Sequence, residues 1–161
     1  MASLSIEPDA MDAHRARAIA RRVHAAERQE DGAPLLQHIA RVALMTPAEA
    51  RAVAWLHEAL ESGTVTEHEL LGYGLDEDEL RALRLLSRRT QSRSVQVYLA
   101  HVELIACAAG RSGRLARIVK IADLEDRRRH PRVRADGWSP PYELAQRRLE
   151  AVGARGSYEH A

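Results

Sequence analysis

The sequence has no phenylalanine, and its two tryptophans and four tyrosines make aromatic residues only 4% of the chain. Sheet cores draw on aromatic and β-branched side chains, so this scarcity, beside abundant alanine, leucine and arginine, favours helices over sheets. There is one cysteine, Cys107. It excludes an internal disulfide and fits a reducing cytoplasm. Its setting, Leu104-Ile105-Ala106-Cys107-Ala108, reads as a buried, inert thiol rather than a nucleophile. Charge of one sign is also missing. With 24 basic and 23 acidic residues the net charge is +1, which gives no general attraction for nucleic acid or a membrane surface. No run is long and apolar enough to span a bilayer, and Met1-Ala2-Ser3-Leu4-Ser5-Ile6 lacks the basic start and apolar stretch of a signal peptide. The expectation is a cytoplasmic protein.

What the 161 residues do contain is enough for one domain with a real core, 45% of them hydrophobic. No internal repeat or interior linker interrupts them. The punctuation is that of an all-α chain. A first helix is expected over about 10–28, ended by Glu30-Asp31-Gly32, and a second from Ala33-Pro34, with Leu35, Ile39 and Val42 at helical spacing. Thr46-Pro47-Ala48-Glu49 reads as a capping box opening a helix to about 61, stopped by Ser62-Gly63. Thr66-Glu67-His68-Glu69 repeats the signature for a short helix, and Asp76 caps another to about 88. Longer amphipathic helices follow over 94–109 and 112–128, then a loop over 131–137 and a last helix from Ser139-Pro140-Pro141-Tyr142 to near 153. Residues 1–8 and 154–161 are expected to be frayed ends around a domain of 9–153.

Three polar residues stand on apolar stripes. His38 lies between Leu35 and Val42 at offsets of three and four; His57 follows Val53 by four; Asp123 follows Val119 by four. Each alone reads as a satisfied core histidine or a carboxylate bonded to a neighbouring helix. Three on three helices call for a shared partner, because a buried carboxylate or imidazole without one is costly. A divalent metal is an economical choice, imidazole and carboxylate being typical ligands. Glu58, next to His57, is turned about 100° around a regular helix and shares such a site only if the ion lies between the two directions.

In order, Val23-His24, Asp31-Gly32-Ala33-Pro34-Leu35-Leu36-Gln37-His38 and Arg41-Val42-Ala43 resemble the first stretch of small bacterial HD-domain proteins related to the (p)ppGpp hydrolase domain. Ala52-Val53-Ala54-Trp55-Leu56-His57-Glu58-Ala59-Leu60-Glu61 is similar to the segment carrying the HD dipeptide. Val65-Thr66-Glu67, Leu70, Leu86-Ser87-Arg88-Arg89 and Tyr98 fit the intervening helices, and Ile118-Val119-Lys120-Ile121-Ala122-Asp123-Leu124 resembles the segment ending in the last metal ligand. The resemblance covers about 14–128 and implies a single-domain HD-type helical bundle. It also implies one divalent metal ion, usually manganese, that activates water for attack on a phosphate ester or pyrophosphate. Carried over by position, the metal set is His38, His57, Glu58 and Asp123, with Glu61 as the retained half of a catalytic Glu-Asp pair.

The departures are specific. Glu58 stands where the family has Asp, and its extra methylene displaces the carboxylate unless the backbone adjusts. Ser62 replaces the acid after Glu61, Arg127 the usual asparagine, and Gln29-Glu30 a basic pair that contacts nucleotide. Two readings follow. One is a phosphohydrolase acting on a nucleotide or other small phosphate. The other is a non-catalytic relative that binds a ligand or regulates a partner. A scaffold with no site leaves His38, His57 and Asp123 unexplained. Arg127-Arg128-Arg129-His130, with Arg132 and Arg134, reads as a solvated helix end or as a replacement phosphate grip. Lys120 either snorkels to solvent or approaches a substrate phosphate, and Trp55 and Trp138 read as core and loop anchors.

Overall fold

The computed structural model describes residues 11–88, 92–131 and 136–156, with side chains to 152. The expected frayed segment 1–8 lies outside these, as do Arg132, Arg134 and 157–161. The only regular elements among the described residues are helices, with no strand beyond an isolated bridge between Arg28 and Pro34. In chain order the helices are α1 (Ala13–Val23), α2 (Leu35–Met45), α3 (Ala48–Leu56), α4 (Ala59–Ser62), α5 (Glu67–Gly72), α6 (Glu77–Leu86), α7 (Val95–Cys107), α8 (Gly110–Arg129) and α9 (Tyr142–Gly156). The all-α expectation holds, and no described helix is long and apolar enough to cross a membrane.

Local chemistry sets most of the boundaries. Asp12, Ser94 and Asp76 each accept a backbone N–H from the first turn of the helix they precede. Thr66–Glu69 and Asp76–Glu79 both close full capping boxes. Thr46 does not. Its hydroxyl turns back and donates to the Ala43 carbonyl at 2.9 Å, and α3 starts after Pro47 with no side-chain cap. The expected single helix to 61 is also broken, since α3 stops at Leu56 and a turn at His57-Glu58 precedes α4, which ends at Gly63 with φ +68°. At the chain end α9 continues to Gly156.

Cys107 corrects another expectation: it is exposed, not buried. Helix α7 buries Val102, Ile105 and Ala106 on one stripe and turns Leu104 and Cys107 outward, so the apolar run is not a buried run. A bond to the Glu103 carboxylate raises the thiol's pKa.

Helix α8 is the axis of the molecule, packing against α2, α3, α6, α7 and α9, while α3 is covered by α1 and α2. Its apolar side, with Leu115, Ala116, Val119 and Leu124, is buried in the core. The corner from α7 into α8 is tight. A Cβ added at Gly113 would meet the Ala108 carbonyl oxygen at 2.0 Å, and Arg117 clamps the same carbonyl at 2.5 Å. The C-terminal half of α8 therefore lies across the start of α2 and the end of α3.

Candidate functional site

At that crossing, Asp123, Asp126 and Arg127 from α8 meet His38 from α2 and the His57-Glu58 turn after α3. His38, His57, Asp123 and Asp126 are 1%, 6%, 3% and 2% exposed, so the inward orientation expected for the first three is what the fold adopts. The helix breaks at His57-Glu58, between α3 and α4. Glu58 turns towards the histidines, with Oε1 3.7 Å from His57 Nε2 and 3.9 Å from His38 Nε2. The two Nε2 atoms are 3.4 Å apart. The donor atoms of His38, His57 and Glu58 form one cluster. Asp123 joins it from the side, its Oδ1 lying 3.2 Å from His38 Nε2.

The outer partners fix the ring tautomers. Asp126 Oδ2 is 2.7 Å from His38 Nδ1, and a carboxylate only accepts, so Nδ1 carries the proton. His57 Nδ1 likewise donates to the Ala54 carbonyl at 2.6 Å. Burial holds the His57 pKa below 6.5, which keeps that ring neutral at neutral pH with an Nε2 lone pair. Neutral His38 also presents a lone pair. Two imidazole nitrogens and the Glu58 oxygen then converge with Asp123 beside them, a donor set of the kind that takes a metal ion. Ligands bonded to one ion at about 2.0–2.2 Å stand roughly 3–3.6 Å apart. The donors of His38, His57 and Glu58, 3.4–3.9 Å apart, therefore need to contract by only a few tenths of an ångström and fit an ion, while Asp123 lies outside that group of three and would have to move in to complete the set.

The two carboxylates have other partners too. Arg127 donates from Nε to Asp123 Oδ1 at 2.6 Å and from its terminal nitrogen to Glu58 Oε1 at 2.9 Å. Lys120 donates to Asp123 Oδ2 at 2.7 Å and lies 6.0 Å from the centre of the Tyr98 ring. Burial pushes the Glu58 carboxyl up, but the charges of His57 and Arg127 pull it down to about 2. Asp123 is likewise held well below its usual value, Arg127 and Lys120 outweighing the effect of burial. Lys120 is thus a buried ion-pair partner rather than a snorkelling surface residue. Arg128 and Arg129 turn outward to Gln146 and Glu125, so of the described arginines in the basic cluster only Arg127 enters the site.

Asp126 carries no signal of its own in the sequence. It supports His38 and is gripped by both Nε and a terminal nitrogen of Arg41, at 2.6 and 3.0 Å. The hint available was spacing, since Asp126 is one turn beyond Asp123 as Arg41 is one turn beyond His38. That hint becomes readable only once α2 and α8 are known to cross.

His57, Glu58 and Asp123 line a cavity of about 230 Å³, and His38 faces a smaller one. The lining of the larger cavity includes four cations (Arg28, Arg88, Lys120, Arg127), four carboxylates (Glu30, Glu58, Glu61, Asp123) and the rings of Tyr98, Trp138 and Tyr142. The bridge between Arg28 and Pro34 folds Arg28, Gln29 and Glu30 over one side, so a cation stands next to the position where the basic pair is missing. Trp138 is a cavity wall. Glu61 lines the mouth and accepts the Arg88 backbone N–H at 2.8 Å, and desolvation and the nearby Glu58 charge raise its pKa. Ser62 does not line the cavity; its hydroxyl donates to the Ala59 carbonyl at 2.8 Å. A scan against protein-family models finds no match for the chain, and a search of curated proteins finds no similar one.

Proposed function

We propose that the protein is a metal-dependent phosphohydrolase of the HD type, acting on a nucleotide or another small phosphate ester or pyrophosphate. The observation that carries this reading is the cluster of His38 Nε2, His57 Nε2 and Glu58 Oε1, with Asp123 Oδ1 3.2 Å from His38, beside a cavity that His57, Glu58 and Asp123 line together with arginine and lysine. Those four side chains would hold a divalent cation, manganese being the ion the resemblance implies. When bound, it supplies Lewis-acid activation of water and of a phosphoryl oxygen.

The remaining work belongs to side chains. Four cations and four carboxylates leave the lining without net charge, so a phosphate dianion gains electrostatically once two further positive charges are present. Arg28 and Arg88 line the cavity and are the cations that would take phosphate oxygens, and Trp138 and Tyr142 line it too. Glu61, with its raised pKa, is placed at the mouth to take a proton from attacking water or return one to a leaving oxygen. Asp126 keeps the His38 ring oriented, with Nε2 turned towards the cluster.

A second reading, a catalytically impaired relative that binds a ligand or regulates a partner, is favoured by two observations. Serine at 62, turned out of the cavity, leaves Glu61 without a carboxylate at the next position, and Arg127 and Lys120 already balance Glu58 and Asp123.

The test is purified wild type beside His57→Ala, assayed for bound manganese, thermal stability with and without the ion, and phosphate release from p-nitrophenyl phosphate, nucleotides and pyrophosphates. Active protein binds about one manganese, gains about 2.7 kcal/mol at a hundredfold excess over Kd, and releases phosphate only with metal. Wild type that binds manganese and inorganic phosphate but turns nothing over selects the second reading. Absence of any manganese effect on stability or activity refutes the metal centre.

A further inference from the structure

The guanidinium of Arg127 does not merely neighbour the metal-ligand set; it uses the same oxygen atoms. Glu58 Oε1 accepts from Arg127 at 2.9 Å and is also the oxygen that lies 3.7 and 3.9 Å from the two histidine nitrogens. Asp123 Oδ1 accepts from Arg127 Nε at 2.6 Å and is also the oxygen 3.2 Å from His38 Nε2. One planar cation bridges the two carboxylates that a metal ion would bridge. Its side chain is 15% exposed, so water screens it little from the ligand set.

We infer that Arg127 is a built-in counter-cation that competes with the divalent ion for Glu58 and Asp123. The inference rests on the metal reading above and adds to it a residue that sets metal affinity. Without metal, Arg127 and Lys120 balance the two buried carboxylates, so the centre stays folded with no ion bound. A divalent ion that enters must share or displace the guanidinium at both oxygens and meets its charge at short range. Arg127 also lines the cavity above the ligand set and a smaller one of about 190 Å³ behind His38 and Asp126. The side chain therefore has open space on both sides into which it withdraws when metal binds.

A partner that only supports its neighbours loses metal when it is removed; a competitor gains it. Manganese is titrated calorimetrically into wild type, Arg127→Gln and Arg127→Lys, and each metal-free protein is melted in chelator. The expected result is manganese binding on the order of tenfold or more tighter in Arg127→Gln, together with a lower melting temperature without metal. Arg127→Lys, which keeps a cation but cannot bridge both carboxylates, falls between, and it serves alone if the glutamine variant does not fold. If wild type binds manganese and both variants bind it no more tightly, the competition is overturned while the metal reading stands. If none of the three binds manganese, the metal reading itself falls and the competition with it. A metal-free Arg127→Gln protein as stable as wild type overturns the charge-balancing role.

Discussion

Replacing Asp126 with alanine tests the site where its geometry is tightest. The carboxylate bonds His38 Nδ1 at 2.7 Å and Arg41 at 2.6 and 3.0 Å, and its own side chain is 2% exposed. Removing one partner of a buried ion pair costs about 3–5 kcal/mol. The Arg41 side chain is 34% exposed and regains water, whereas His38 is 1% exposed and does not. The loss should therefore fall near the lower end, about 3 kcal/mol. For a chain of this size each kcal/mol shifts Tm by about 2–4 °C, so Asp126→Ala should melt about 6–12 °C below wild type at neutral pH. Glu125→Ala is the control. Its 2.5 Å pair with Arg129 is exposed, and its loss should cost less than about 1 kcal/mol. Thermal melts followed by circular dichroism or calorimetry measure both. A shift for Asp126→Ala no larger than that for Glu125→Ala would refute the argument that this carboxylate anchors His38.

Two further outcomes follow from the same structure. Asp123, Asp126 and Glu58 all have folded-state pKa values depressed below the unfolded ones, so the stability they contribute is fully present above about pH 4.5. It should disappear as pH falls through their folded values, that of Glu58 being about 2. Because burial also holds His57 below 6.5, urea midpoints measured from pH 7 downward should decline gently from about pH 6.5 and then steeply below about 4.5; a curve with no steeper drop below about 4.5 contradicts the carboxylate assignment. Gly113→Ala places a methyl 2.0 Å from the Ala108 carbonyl oxygen at the corner between α7 and α8. It should cost about 1–3 kcal/mol or more in thermal melts, and an unchanged Tm would show that the corner yields.

The helical class, the starts of α5, α6 and α7, and the inward direction of His38, His57 and Asp123 were legible along the chain. Each follows from interactions within a few residues: a side-chain oxygen capping a backbone N–H, or apolar spacing of three and four. Thr46 shows how such reasoning fails, since its hydroxyl had two local acceptor and donor choices of similar worth and took the Ala43 carbonyl. Cys107 fails differently, because composition told that α7 is apolar but not which side of it would be covered.

Sequence by itself determined that His38, His57 and Asp123 face inward. Only the tertiary structure decided what they face. The crossing of α2, α3 and α8 set Asp126 behind His38, broke the helix at His57-Glu58 so that glutamate reaches the histidines, and aimed Arg127 at both carboxylates. These are contacts between residues as far as 88 positions apart, and no local pattern encodes them. They depend on the angle and register at which packed helices meet, which the whole core fixes at once.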